Sequence, residues 1–186
     1  MRKSQALGSL LVAVSLVATG CGVSGGPEKT FKKAANERLD RQLDFLEMVD
    51  TYQSGDSEKA EESVGEWADS FNELQTEYVC KDERYSVNSD DISDLIKDMQ
   101  PSKIPDKDDR EEFKKATKDV LKDLETEDDS ARGDFDPDNE AYVTSEHEDF
   151  AELTGSSYVY MKKEDGDWKV CDDTLSLGTG MLRKRL

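Results

Sequence analysis

Residues 158–171 read YVYMKKEDGDWKVC, and this stretch gives the clearest indication of the fold class. Apolar and polar residues alternate on both sides of Glu164-Asp165-Gly166-Asp167, which is the pattern of two strands joined by a tight hairpin turn. Segments 141–144 and 150–153 show the same period of two and are predicted as further strands. Because helical patterns precede these segments, the sequence predicts an α+β domain, with helices first and a small antiparallel sheet last.

Two long helices are predicted before the sheet. From Glu28 to Tyr52, apolar residues recur every three or four positions, which is the spacing of one face of an amphipathic helix. Ser54-Gly55-Asp56 offers a glycine to end this helix and an aspartate to cap the next one. The same spacing then continues to Tyr78, so the two helices are expected to form an antiparallel hairpin.

The middle and the end of the chain predict shorter elements. Residues 84–87 are predicted as a short strand, and Ser89 is predicted to cap a helix that ends at the prolines following it. Asp106 is predicted to cap a further helix that continues through Glu125. The tail from Thr174 is predicted to be an extra strand or a frayed end.

The chain contains three cysteines, Cys21, Cys80 and Cys171. In an exported chain, the last two thiols most simply pair, and the bridge would join the helical hairpin to the final strand. Two separately buried thiols are the alternative. A catalytic or metal-binding pair is disfavoured, because the two residues are far apart in sequence and the single histidine lies elsewhere.

The N-terminus carries an export signal. Met1-Arg2-Lys3 is basic, and the apolar run that follows is too short to span a membrane with margin, which is typical of a signal peptide. Ala18-Thr19-Gly20-Cys21 resembles the lipobox of bacterial lipoproteins, in which the cysteine receives diacylglycerol and the signal is cut before it. The resemblance implies a cleaved signal peptide at residues 1–20, a lipidated tether at 21–27 and one extracytoplasmic domain at 28–186.

The charge of the chain limits its partners. The formal net charge is −19, and loss of residues 1–20 removes Arg2 and Lys3 but no acidic residue, which makes it −21. Such a polyanion is not expected to bind nucleic acid or anionic lipid as its main partner. It favours cations or basic surfaces, and its contact with the membrane is expected through the N-terminal lipid.

The acidic stretch 125–140 is predicted as a solvated loop, because it contains glycine and proline and almost no large apolar residue. Carboxylates occupy alternate positions within it, at Asp134, Asp136, Asp138 and Glu140. This spacing lets a looped backbone direct oxygen ligands at one calcium ion. The motif is incomplete, since Asn139 replaces the turn glycine of an EF-hand loop. A solvated loop that binds no ion is the favoured alternative, and no other cofactor is expected.

Arg132-Gly133-Asp134 spells the integrin-recognition tripeptide in the same loop. Three residues of common types often occur together by chance, and chance is the favoured interpretation.

The only histidine, His147, lies between Glu146 and Glu148. A general base needs a nucleophile and an orienting partner within reach, and the sequence shows no Gly-flanked serine elbow between a strand and a helix, no zinc-binding helix and no phosphate loop. His147 is therefore predicted to be a surface residue, and the chain is not expected to be an enzyme.

Several aromatic residues could line a carbohydrate or lipid pocket. Their spacing along the helices and strands predicts core positions instead. They are Trp67, Phe71, Tyr78, Tyr158, Tyr160 and Trp168.

The ending Tyr158 to Cys171 also resembles the last hairpin of small secreted lipoproteins with NTF2-like (cystatin-like) domains. The resemblance implies a curved sheet that wraps a long helix around a cone-shaped pocket, which is an enzyme site in some members and a ligand or partner surface in many. Two long helices before the sheet are more helix than this pattern expects.

Three function classes follow from these features. The favoured one is a lipid-anchored module that binds a small ligand between sheet and helix, or binds another envelope protein. An interaction or exclusion lipoprotein, such as those with which phages block superinfection, would have a pocketless, helix-dominated fold. An envelope hydrolase or its accessory subunit would need a cleft with convergent carboxylates of separated pKa.

Overall fold

Helices fill the first part of the chain and strands fill the last. The computed structural model describes residues 25–99, 104–127 and 135–175. The helices are α1 Pro27–Gln53, α2 Ser57–Tyr78, α3 Ser89–Asp98, α4 Lys107–Val120 and α5 Phe150–Thr154. The strands are β1 Leu124–Glu127, β2 Glu140–Ser145, β3 Val159–Glu164 and β4 Asp167–Val170, and a 3-10 turn, Asp173–Leu175, follows them. The predicted α+β class is confirmed.

The first two helices form the predicted antiparallel hairpin. Lys33 Nζ of α1 lies 3.2 Å from the Glu77 carboxylate near the end of α2. Further along α1, the Arg41 carbonyl accepts a hydrogen bond of 2.7 Å from Trp67 Nε1. The chain reverses at Gly55, whose φ of +95° is the left-handed conformation that glycine adopts most easily.

The four strands form one antiparallel sheet in the order β1-β2-β3-β4. β3 and β4 meet at the predicted turn, where Asp165 and Gly166 have φ values of +54° and +93°. Positive φ at both central residues matches the twist of the flanking strands, which is why Asp-Gly is a strong hairpin signal.

Alternation along the strands gives the sheet an inner and an outer face. The inner face carries Ala141, Val143, Val159 and Met161, all buried. Three of these, Val143, Val159 and Met161, belong to a core cluster that also contains Phe31 of α1 and Tyr78 of α2. A second cluster joins α1 and α2 to α3 through Val49, Phe71 and Ile92, among others. Within the described residues, the first cluster takes sheet residues from the inner face alone, and the second cluster contains no residue of the sheet.

The strand predicted at residues 84–87 is wrong, because this segment forms no regular structure. The Asn72 side chain explains why. Its Oδ1 accepts the backbone N–H of Val87 at 2.9 Å, and its Nδ2 donates to the carbonyl of the same residue at 2.9 Å. A side chain therefore satisfies the groups that a neighbouring strand would otherwise satisfy.

The strand predicted at residues 150–153 is also wrong, because Phe150–Thr154 is the short helix α5. Phe150 is buried and lies edge-on to Phe31, with ring centroids 6.3 Å apart, while Leu153 packs against the same cluster. Apolar residues three positions apart fit one helical turn, and a window of four residues does not separate that spacing from a strand.

The helix predicted from Asp106 through Glu125 is correct at its start and wrong at its end. The Asp106 carboxylate caps it by accepting the Asp109 N–H at 2.9 Å. The helix ends at Val120, and Leu124–Glu127 forms β1, so the predicted loop 125–140 also begins too early. The pairing partner of β1 is the distant strand β2, which local spacing does not reveal. At α3, Asn88 rather than Ser89 is the cap.

Candidate functional site

The predicted disulfide between Cys80 and Cys171 is confirmed. Their Cα atoms lie 5.0 Å apart, and the bridge closes a sequence separation of 91 residues. Beside it, Val79 forms a parallel bridge with Val170, and the Cys80 N–H donates to the Val170 carbonyl at 2.9 Å. The end of α2 is thus fixed to the end of β4, which holds the hairpin and the sheet together.

The space between α1 and the sheet is filled by side chains. Phe31 of α1 belongs to the same buried cluster as Val143 and Met161 of the sheet. A separate cavity of about 10 Å³, about the room one water molecule needs, lies between α1, α4, α5 and the 3-10 turn. Arg38 lies in its wall, and burial lowers the pKa of this guanidinium to about 10, although nearby Tyr85 and Asp173 oppose the shift.

An aromatic cluster lies on the outer face of the sheet. We call Phe135, Tyr142, Tyr158 and Tyr160 the aromatic face. Tyr142 is its centre: its ring lies 5.7 Å from Phe135 in a stacked arrangement, 5.1 Å from Tyr158 edge-on, and 5.4 Å from Tyr160. All four side chains are half-buried. Among the described residues, none of these four rings belongs to either core cluster.

A hydrogen bond ties the aromatic face to the acidic loop. The Tyr160 hydroxyl donates to the Glu140 carboxylate at 2.7 Å, and Glu140 also accepts the Asp136 N–H at 3.1 Å. These bonds hold the pKa of Glu140 below its usual range, the Tyr160 bond being the larger cause. Burial and Glu140 together raise the pKa of Tyr160. Both shifts widen the pH range over which the Tyr160 hydroxyl donates to an ionised Glu140 carboxylate.

Carboxylates border the aromatic face on the β1 side. In the strand register, Glu127 lies opposite Tyr142 and Glu125 lies opposite Thr144, and both glutamates are exposed. Residues paired in this way have Cβ atoms about 5 Å apart, so Glu127 lies beside the Tyr142 ring and Glu125 lies beside Thr144. Lys162 of β3 lies opposite Glu140 of β2 in the strand register, and its side chain is exposed.

The acidic loop is held by its own hydrogen bonds where it is described. Asp136 accepts the Asp138 N–H at 3.1 Å and the Asn139 side-chain amide at 2.8 Å, and these bonds lower the pKa of Asp136. Asp134 lies outside the described residues. Among residues 25–99, 104–127 and 135–175, no three His, Cys, Asp or Glu side chains are grouped to hold a metal ion. The calcium site at Asp134, Asp136, Asp138 and Glu140 remains a prediction.

A groove of about 540 Å³ follows the seam of the α1–α2 hairpin. Buried Trp67 and Met48 form part of its wall, and charges of both signs, including Arg41 and Asp44, line it. Arg41 and Asp44 pair with each other at 3.1 Å. Because acids and bases are mixed, the groove shows no preference for one ligand charge.

His147 is half-buried near the start of α5. Its Nδ1 accepts the backbone N–H of Asp149 at 3.2 Å, and the backbone N–H of His147 donates to Ser145 Oγ at 3.1 Å. In a serine triad, Nδ1 donates to the carboxylate and the serine hydroxyl bonds to the ring. Here Nδ1 accepts a backbone N–H, and Ser145 Oγ is bonded to the His147 backbone rather than to the ring, so these bonds are not those of a triad.

The structure divides the aromatic residues that the sequence placed in the core. Trp67, Phe71 and Tyr78 are buried, as predicted. Trp168 is half-buried against the core, while Tyr158 and Tyr160 lie on the outer face, so their core prediction is wrong.

Tyr142 and Phe135 are the members of the aromatic face that the sequence analysis did not single out. Alternation across 141–144 places Tyr142 on the same face of the sheet as Tyr160, and this pattern could have identified Tyr142 from the sequence. Cys21 and Arg132-Gly133-Asp134 lie outside the described residues.

Comparison of the chain with known protein families, curated proteins and solved structures finds no match. No helix in the described ranges has both the length and the apolar character needed to cross a membrane. The geometry of the aromatic face is therefore the observation from which a function can be argued.

Proposed function

We propose that this protein is a lipid-anchored protein of the bacterial cell envelope whose extracytoplasmic domain binds a partner protein through the aromatic face. The single observation that carries the binding role is the cluster of Phe135, Tyr142, Tyr158 and Tyr160 on the outer face of the sheet. Tyrosine is enriched at protein interfaces because its ring buries large apolar area while its hydroxyl stays hydrogen-bonded.

Two features support the extracytoplasmic location. The domain contains the Cys80–Cys171 disulfide, and disulfides persist in oxidising compartments but are rare in the cytoplasm. The lipobox-like Ala18-Thr19-Gly20-Cys21 follows a sequence typical of a signal peptide. Five residues separate Cys21 from the start of α1 at Pro27, and such a tether reaches roughly 20 Å when extended. The domain would then work close to the membrane surface.

A protein partner is favoured over a small ligand. Phe31 and Ala34 of α1 pack in one buried cluster with Val143 and Met161 of the sheet, so among the described residues side chains occupy the place where an NTF2-like domain would have its pocket. The aromatic face spans two neighbouring strands and has no enclosing wall of core residues, which suits a broad contact. Catalysis is disfavoured, because His147 is engaged as a backbone acceptor.

Site-specific photo-crosslinking in living cells tests the proposal. A benzophenone amino acid replaces Thr144 or Lys162 on the outer face of the full chain, and replaces Glu66 on the exposed side of α2 as the matched control. We expect the two outer-face positions to give an adduct with the same extracytoplasmic protein, and Glu66 to give none. Equal adducts from Glu66, or none from the outer face, would contradict the proposed function.

A further inference from the structure

The first two turns of α1 carry three lysines on one side of the helix. Lys29, Lys32 and Lys33 are spaced by three or four positions, and all three are exposed. We call them the lysine face. Lys33 forms an ion pair with Glu77 at 3.2 Å, whereas Lys29 and Lys32 form none with the described residues. At least two positive charges of the lysine face therefore meet solvent.

The stability of the helix does not explain where these lysines lie. The helix dipole favours acidic residues in the first turn and basic residues in the last. Helices α3 and α4 follow this rule: each begins with aspartates and has a lysine, Lys97 or Lys118, in its last turn. Helix α1 has three lysines near its start, with Glu28 as its first-turn acid, and no basic residue in its last turn. The lysine face opposes the dipole, so a contact outside the helix is the better explanation.

The sign of the charge changes along the α1–α2 hairpin. The exposed side of α1 continues from the lysine face to Asp40, Asp44 and Glu47, which are all exposed. The tip of the hairpin, where α1 meets α2, exposes Asp56 and Glu58. Because α1 has 27 residues, the hairpin is about 40 Å long. One end of it is therefore basic on its exposed side, and the other end is acidic.

The basic end is the end that the tether joins. The lysine face begins at the third residue of α1, and the tether from Cys21 reaches roughly 20 Å when extended. Anionic phospholipids give a bilayer a negative surface potential, which attracts lysines that lie within about 8 Å of it at physiological ionic strength. The same potential repels the acidic tip. Since the whole domain is anionic, the lipid anchor rather than the lysine face holds the protein at the membrane.

We propose that the lysine face contacts the headgroups of anionic phospholipids, so that the α1–α2 hairpin stands with its tip away from the membrane. This inference rests on the lipid anchor of the proposed function and adds the orientation of the anchored domain. The anchor supplies the attachment, and the lysine face selects which end of the domain meets the bilayer.

Fluorescence quenching in vesicles tests this orientation. The full protein is purified from cell membranes and inserted into vesicles of phosphatidylcholine, or of an equal mixture of phosphatidylcholine and phosphatidylglycerol. Some lipids carry a nitroxide quencher on the headgroup. A fluorophore is attached at Asn36→Cys, on the exposed side of α1, or at Ser57→Cys at the tip, roughly 25 Å further along the hairpin. The new thiol is the one that reacts, because Cys21 is lipidated and the other two cysteines form the disulfide.

The comparison between the two lipid compositions decides, because the tether alone already brings Asn36 closer to the membrane than Ser57. We expect anionic lipid to increase the quenching at Asn36 and not at Ser57. Salt at about 1 M, where the Debye length is about 3 Å, should remove the increase.

Paired substitutions assign the effect to the lysine face. Each lysine near an anionic surface changes the contact equilibrium by about fivefold, so Lys29→Gln with Lys32→Gln should lower the contact constant from Asn36 quenching at least about tenfold. The matched control, Lys59→Gln with Lys97→Gln, removes the same charge from exposed positions near the tip and should change it less than about twofold. Circular dichroism melts check folding. The first variant should be as stable as the wild type or slightly more stable, because its lysines oppose the helix dipole.

Two results would overturn the inference alone: equal Asn36 quenching on neutral and anionic vesicles, or an equal loss in the two paired variants. If the protein floats with neutral vesicles in either case, the lipid anchor and the proposed function stand, and only the orientation is wrong. A protein that does not float with neutral vesicles carries no anchor, and this result would overturn the proposed location and the inference together.

Discussion

Removing the disulfide should destabilise the domain strongly. The double substitution Cys80→Ala, Cys171→Ala opens the bridge that ties α2 to β4 across 91 residues. In the chain-entropy model, a loop of this length restricts the unfolded chain by about 4.6 kcal/mol at 25 °C. Native contacts beside the bridge remain, including the Cys80 N–H to Val170 carbonyl hydrogen bond, because that bond uses backbone atoms. We expect a loss of about 2 to 5 kcal/mol in the free energy of unfolding.

Urea unfolding followed by tryptophan fluorescence measures this loss by linear extrapolation. Trp67 lies in the hairpin and Trp168 lies in β4, so the signal reports on both parts of the domain. The matched control is Ser54→Ala, an exposed change in the α1–α2 turn that leaves the bridge intact. A double variant within about 0.5 kcal/mol of the wild type would refute the argument that the bridge holds hairpin and sheet together.

Two further predictions concern single contacts. Arg110 is buried, its Nη2 donates a hydrogen bond of 3.0 Å to the Asp50 carboxylate, and its Nη1 forms an ion pair with the same carboxylate at 2.8 Å. Arg110→Met should therefore lower the free energy of unfolding by about 2 kcal/mol in the same urea assay; an unchanged midpoint would show that α4 is not fixed to α1 by this pair. Tyr160→Phe should raise the pKa of Glu140 towards its usual value, as followed by carboxyl NMR shifts, because the depressed pKa is caused first by the Tyr160 hydroxyl. The stabilisation from this bond is present above the unfolded pKa of about 4.3 and is lost as the pH falls through the lower folded pKa. Tyr160→Phe should therefore reduce the loss of stability that acidification causes in this pH range. An identical Glu140 pKa in both proteins would contradict the hydrogen bond.

The parts of the fold that the sequence predicts are those with local signals. Gly55 and Asp165-Gly166 supply backbone conformations that few other residues adopt, so both reversals could be located from residue types alone. The long periodic patterns of α1 and α2 gave their boundaries to within one residue or two. The pairing of Cys80 with Cys171 was predicted because only these two thiols remain once Cys21 is assigned to the predicted lipid anchor.

The parts that the sequence does not predict depend on contacts between distant residues. β1 is a strand because β2 pairs with it, and residues 124–127 carry only a weak strand pattern of their own. Residues 84–87 do not form a strand, and the Asn72 side chain bonds to the Val87 backbone instead. No local sequence pattern shows this contact. The aromatic face was not predicted because it also depends on a contact between distant residues. Phe135 stacks on Tyr142, although Phe135 lies in a stretch whose composition predicts a solvated loop.

The lipid anchor on Cys21 is the claim on which the location of any partner depends, and the intact mass of the protein from cells tests it most directly. The mass is measured before and after reduction and alkylation, for the wild type and for Cys21→Ala. We predict a chain that starts at Cys21 with a lipid-sized mass increment and shows no free thiol until it is reduced. An unmodified wild-type chain that starts at Met1 and carries free thiols would contradict the export, the anchor and the envelope partner together.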